Sequence, residues 1–333
     1  MSILGFKEGE TMKKIYSTLV TAFVALTILG CSATASQPFK ADTPQSVQIM
    51  STQNSDGKVT TKTIEKAFDK LGLTVGANND MNNPFGKRFP SLHYKVYNLA
   101  VFSNTDLTFK LIKKYPNFGV LMPLTMSIWS DKGTMNVSTL TLDGMARAAG
   151  IPKTDPDLIA YATMITKALN ASMPNGALKA LNYKVEDPKN SYAIDFVAEI
   201  DMEEVTDIEE YKEDFQAEFE GEMEPLGFLF PNFMNLKEEI FDDAGYDVYD
   251  FYDTYSICKF DVIYPVSKIN PEAGAYAPCS FYMYKKKGES KMHLGFLGVD
   301  NWIKTLDIKD KHSVKQLRDA QKMIENIVNE LTE

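Results

Sequence analysis

Cysteine, histidine and tryptophan are scarce in this chain of 333 residues: three, three and two. Three cysteines cannot build the disulfide framework of a small secreted scaffold. His93, His293 and His312 stand far apart, without metal-ligand or triad spacing, and read as surface or strand residues. The G-x-S-x-G, H-E-x-x-H, C-x-x-C, phosphate-loop and dinucleotide-glycine patterns are all missing, so the chain carries no cofactor or metal fingerprint. That weakens the case for an enzyme without removing it, because a site can assemble from distant residues. Basic charge is short too. A formal charge of −10 argues against nucleic acid as a partner. What is present is a 44% hydrophobic composition, enough for a sizeable core, on a length that suits two domains of roughly 100–200 residues.

The N-terminus reads as a targeting segment. Lys13 and Lys14 precede an apolar run from Ile15 to Leu29, shorter than the roughly 20 residues a membrane span needs. The run ends in "ILGC", which resembles a bacterial lipobox. The resemblance implies a signal peptide over 1–30, diacylglycerol on the Cys31 thiol, and membrane attachment through that lipid, since each buried CH₂ contributes about 0.8 kcal/mol. The competing reading is an ordinary cleaved signal with an incidental cysteine. Met12 is the expected start, because the residues before it add nothing a signal peptide needs. Ser32, by resemblance to Gram-negative lipoproteins, implies the periplasmic face of the outer membrane; in a single-membrane cell the anchor is its extracytoplasmic face. Residues 31–45, small and polar with two prolines, read as a lipidated tether.

Beyond the tether the chain repeats itself. "YNLAVFS" at 97–103 is followed by "PLTMSIWSDKG", and "YSICKFD" at 255–261 by "PCSFYMYKKKG". Leu124, Met126 and Ile128 share one strand face, Cys279, Phe281 and Met283 the equivalent face, and Trp129 matches Tyr284. Each pair of alternating runs flanks a glycine turn and predicts a β-hairpin. Asp155 and Pro156 open a helix with Leu158, Ala162, Ile165 and Leu169 on one face. Val314, Leu317, Ile324, Ile327 and Leu331 make the matching stripe near the C-terminus. Upstream, "SVQIMST" and "SYAIDFVAEI" are alternating strands that each precede a helix, the first with Ile64, Ala67, Phe68 and Leu71 on one face, the second around Ile208 to Phe219. The expected fold class is α+β. Two tandem units, 46–175 and 190–333, are joined by a linker at 176–189. Each reads strand, helix, antiparallel strands, helix, with a curved sheet packed on helices.

The first unit also resembles a known family, the bacterial domain of unknown function 302. Phe102 and Asn104 match its apolar strand and Asn turn, Pro123 and Leu124 its "LP" strand opening, and Trp129, Asp131 and Gly133 its acidic-Gly turn. The resemblance implies a fold of the TATA-binding-protein-like class and carries no catalytic residue. It covers about 46–151 well, and the second unit only weakly, with Asp261 in place of the Asn turn and lysines in place of the acidic-Gly turn.

Charge divides the units: the first has about five more basic than acidic residues, the second about seventeen more acidic than basic. The plain reading is a solvated acidic helix and loop. Others are a basic face meeting an acidic one, or a cation site among Asp242, Asp243, Asp247, Asp250 and Asp253, whose spacing is not that of an EF-hand. Cys258 and Cys279 align in this scheme with Ala100 and Leu124 on consecutive strands. They are a candidate disulfide or a pair of buried thiols. Tyr94, Tyr97, Tyr249, Tyr252, Tyr255, Tyr282 and Tyr284 fill the sheet–helix core or line a groove. The functional expectation is a lipid-anchored envelope protein acting as a binding or interaction module. Its partner is a small apolar ligand in a sheet–helix groove, or an envelope protein. The alternative is an envelope hydrolase using an acid pair of the second unit.

Overall fold

The computed structural model describes residues 44–186 and 192–333, so the signal peptide, Cys31 and all but the end of the tether lie outside the described residues. The first unit runs β1 (Val47–Gln53), α1 (Thr61–Lys70), β2 (Thr74–Asp80), α2 (Asn82–Arg88), β3 (Tyr97–Ser103), α3 (Thr105–Lys114), β4 (Leu124–Asp131), β5 (Thr134–Leu140), α4 (Leu142–Ala149), α5 (Pro156–Ser172). After the short strand β6 (Ala177–Leu178) the second runs β7 (Ala193–Glu199), α6 (Ile208–Met223), β8 (Phe228–Asn235), β9 (Tyr249–Lys259), α7 (Phe260–Ile269), β10 (Cys279–Lys286), β11 (Lys291–Leu297), α8 (Asp300–Thr305) and α9 (Lys311–Thr332). A single π-turn, Lys237–Phe241, stands where the first unit has α2.

Both sheets are antiparallel and share one strand order. The first is β2-β3-β4-β5-β1-β6 and the second β8-β9-β10-β11-β7. Side-chain caps start the main helices: Thr60 forms a capping box on α1, and Asp155, Asp207 and Asp310 accept from first-turn N–H groups of α5, α6 and α9. The stripes expected from sequence are buried, with Ile64 and Phe68 on α1 and Leu317, Ile324 and Ile327 on α9; Leu71 instead sits exposed at the end of α1. Phe68 meets Phe102 edge-on, and Phe219 of α6 stacks on Phe281, so helices cover the same face of each sheet.

Strand pairing corrects the repeat. Tyr97 lies opposite Trp129, and Tyr252 lies opposite Tyr284. The match of Trp129 to Tyr284 stands, but the partner of Tyr97 is Tyr252, three residues before the expected Tyr255. From Tyr97 to Gly133 and from Tyr252 to Gly288 the two units then run without insertion. Cys258 therefore takes the place of Ser103, not Ala100. Cys258 and Cys279 are free thiols. Ile257 lies opposite Cys279, Cys258 is one step further along, and both cysteines border the same small cavity. The expected linker is also less than a linker: β6 pairs with β1, and Tyr183 Oη donates to Glu272 of the second unit at 2.5 Å.

The other face of each sheet is covered by the opposite unit. The 3-10 turn Pro116–Leu121 lies on β10 and β11, and its counterpart Pro271–Ala275 lies on β4 and β5. The contacts are reciprocal. Tyr97 Oη donates to the Pro271 carbonyl (3.4 Å), and Tyr252 Oη to that of Pro116. Gly119 and Gly274 occupy matching places in the two turns. A Cβ on Gly119 would overlap Tyr252 and Tyr282; one on Gly274 would overlap Ser127 and Leu99. Glycine here permits backbone to press on a foreign sheet.

Candidate functional site: twin clefts at the seam

In the second unit only about 50 Å³ remains between β9–β11 and helices α7 and α9, beside Cys279 and Trp302.

Room lies instead where the two sheets meet. Edge strands β2 and β8 approach each other, each bulged, near Gly76 and near Pro231. Asn232 faces Gly76, where an added Cβ would stand 3.5 Å from its Oδ1 and 3.6 Å from Val101. On one side of this contact is a cleft of about 400 Å³, on the other one of about 240 Å³. Asn232 and Val101 line both. The clefts are counterparts under the repeat. Leu229, Pro231, Cys258 and Phe260 line the larger, and Thr74, Gly76, Ser103 and Thr105 the matching positions of the smaller. Pro278 and Pro123, each preceded by a cis peptide bond, match in the same way.

The larger cleft has an apolar floor of Leu99, Val101, Leu229, Phe260 and Pro278, with Asn79, Asp80 and Asn83 on its rim. The Nδ2 of Asn232 is buried with no acceptor among the described residues, an unmet donor that a ligand carbonyl or hydroxyl would satisfy. Cys258 is buried and its thiol is pushed up to about 12 by desolvation, so it is a neutral wall rather than a nucleophile.

Residues 48–172 match the family model described as "Domain of unknown function DUF302". These residues form a DUF302 domain. A solved structure titled "Crystal structure of uncharacterized conserved protein DUF302 from Bacillus stearothermophilus" is similar at 13% identity, covering 43% of this chain and 98% of its own, with a TM-score of 0.34. No curated protein matches the chain.

Within the DUF302 domain the motif positions have structural work. Asn104 Oδ1 accepts from Leu107 N–H (2.9 Å) to cap α3, and its Nδ2 donates to the Gly72 carbonyl (2.7 Å). Phe102, Leu124 and Trp129 are buried. Gly133, with φ of 82°, makes the β4–β5 turn beside Asp131. Of these motif residues Phe102 and Pro123 line the smaller seam cleft. Asp131 instead lines a wide polar cleft of about 800 Å³ at the end of the DUF302 sheet, with His93, Tyr94, Lys95 and Lys132. Burial lowers the pKa of His93, favouring the neutral ring, which packs on Tyr264 at 4.3 Å. His293 stacks on Tyr284 at 4.8 Å.

The acids of the second unit do not converge. Lysines tie three of them: Asp242 to Lys237 (3.0 Å), Asp250 to Lys285 (2.5 Å), and Asp247 to Lys287. Among the described residues no group of three His, Cys, Asp or Glu could hold a metal ion. Asp253 is different. It is fully buried under α6, its Oδ2 accepts from Gln216 (3.0 Å), and its Oδ1 has no partner. Desolvation raises its pKa to about 7. It lines neither seam cleft. Of the tyrosines, Tyr255 joins the sheet–helix core against Phe219, while Tyr252, Tyr282 and Tyr284 stack on the seam face. The clefts were beyond sequence reasoning, because their walls come from strands more than a hundred residues apart; the bulge-prone Gly76 and Pro231 on edge strands were the available signal.

Proposed function

We propose that the protein is a lipid-anchored envelope module that binds a small, mainly apolar molecule at the seam between a DUF302 domain and a diverged second copy of it. The larger cleft carries this reading. Its volume falls inside the roughly 300–1,000 Å³ typical of ligand pockets, it has an apolar floor with few polar groups, and it lies between two units, where such sites concentrate. The lipidated Cys31 and the tether at 31–45 would hold this module at the periplasmic face of the outer membrane, or outside a single membrane. Polar Asn232 supplies orientation, and desolvation of Leu229, Phe260 and Pro278 supplies affinity.

The test is native mass spectrometry of the soluble form beginning at Ser32, beside its denatured mass, together with fluorescence titration by the neutral apolar probe N-phenyl-naphthylamine. The expected results are a discrete ligand mass lost on denaturation and saturable probe binding. Ala77→Phe, which fills the larger cleft, should abolish both while leaving the thermal midpoint near that of the parent. Saturable binding unchanged in Ala77→Phe would overturn the assignment, and no binding to the parent would overturn the module itself.

A further inference from the structure

The two seam clefts share a backbone and differ in chemistry at matched positions. Where the larger cleft has Cys258, Phe260 and Pro84, the smaller has Ser103, Thr105 and Glu239. Every one of these exchanges makes the smaller cleft more polar, and one brings a full negative charge. We propose that the smaller cleft binds a small organic cation, a primary ammonium group held by the Glu239 carboxylate with the Ser103 and Thr105 hydroxyl oxygens as further acceptors.

Among the described residues Glu239 is the only ionisable group lining this cleft. Its Oε1 accepts from the Asn235 N–H (3.1 Å), which fixes the side chain, and it makes no ion pair among the described residues. The adjacent Lys237 is already engaged by Asp242. The hydroxyls of Ser103 and Thr105 likewise have no hydrogen-bond partner among the described residues. An ammonium has three N–H donors, and one carboxylate and two hydroxyls are a matching set of acceptors. A hard metal ion is a poor fit, because calcium takes 6–8 oxygens and magnesium demands near-ideal octahedral geometry. An anion would meet Glu239 directly. The partial positive charge at the start of α3 is offset by Asp106 in its first turn. The volume of about 240 Å³ limits the occupant to a small amine.

The inference stands on a different cleft from the apolar site, so each can fail alone. Three probes of equal length separate the chemistry: butylamine, butanol and butyrate, titrated by ligand-observed NMR. The expected order is butylamine about tenfold tighter than butanol, with butyrate weakest, as a charge-assisted hydrogen bond in a partly shielded site predicts. Glu239→Gln keeps the bond to Asn235 and should reduce butylamine to the level of butanol. Glu238→Gln, next door on the same acidic surface, should leave the preference intact and so exclude diffuse attraction to an acidic protein. Butanol binding as well as butylamine, a preference surviving Glu239→Gln, or one lost equally in Glu238→Gln would each overturn the assignment.

Discussion

Ser130 of β4 and Lys285 of β10 hold the same place in their sheets, and Lys95, just before β3, matches Asp250 at the start of β9. In the second unit the Lys285 ammonium, almost wholly buried, reaches the Asp250 carboxylate at 2.5 Å, and that end of the sheet is closed. In the DUF302 domain Ser130 is too short to close it, and the polar cleft opens there. The same divergence recurs one layer deeper. Asn98, opposite Ile128, gives its amide N–H to Asn78 Oδ1 (2.9 Å). Its counterpart Asp253, opposite Met283, is a buried acid. A repeated backbone thus tolerates neutral or ionisable groups at one position, provided the acid is paired or kept protonated.

The sharpest way to break this comparison is Asp253→Asn, which makes the second unit resemble the first. The folded-state pKa of Asp253 is raised from 3.8 to about 7, so folding favours the protonated form. That contribution is whole below about pH 4 and is lost as pH rises through about 7. A shift of this size corresponds to roughly 4 kcal/mol at most. The parent should therefore lose stability between pH 4.5 and 8 relative to Asp253→Asn, read from paired urea unfolding curves. Parallel pH profiles would show that the carboxyl is compensated, by Lys212 or by water.

Lys285→Ser copies the DUF302 residue into the second unit. It leaves Asp250 without its cation and should cost about 3 kcal/mol, the usual penalty for breaking a largely buried pair from one side. The double variant with Asp250→Asn should recover much of that loss. At the seam, Gly119→Ala and Gly274→Ala should each destabilise by about 1–3 kcal/mol, since the new methyl group meets the opposite sheet. An unchanged midpoint in either would mean that the two units do not press together there. The smallest effect is expected from Cys258→Ser, because Ser103 already fills the matching site; a cost under about 1.5 kcal/mol fits a near-isosteric exchange. Neither Cys258 nor Cys279 should react with a thiol reagent at pH 8 in the native protein, since burial raises both to about 12. Both should react once it is unfolded.

Alternation and helical periodicity revealed the strand, helix, strands, helix frame of both units but not α2, α4, α7 or α8, because only the long core stripes are clear local patterns. Asp155 before Pro156 and the glycine at the β4–β5 turn are likewise local chemistry, and both act as their residue types imply. The register of β9 was harder. "YDTYSIC" offers tyrosines at 252 and 255, and matching the wrong one set Cys258 against Ala100 instead of Ser103. The seam was hidden for a related reason. A sheet with helices on one side leaves the other bare, and nothing local says that a turn from the opposite unit covers it. Gly119 and Gly274 read as ordinary turn glycines until Tyr252, Tyr282, Ser127 and Leu99 are brought against them.

Sequence alone determined the α+β class and the DUF302 motif, since both are written in neighbouring residues. Only the tertiary structure decided the seam, the twin clefts and the burial of Asp253. Each of these depends on distances between side chains remote in the chain, and packing and desolvation act on those distances alone.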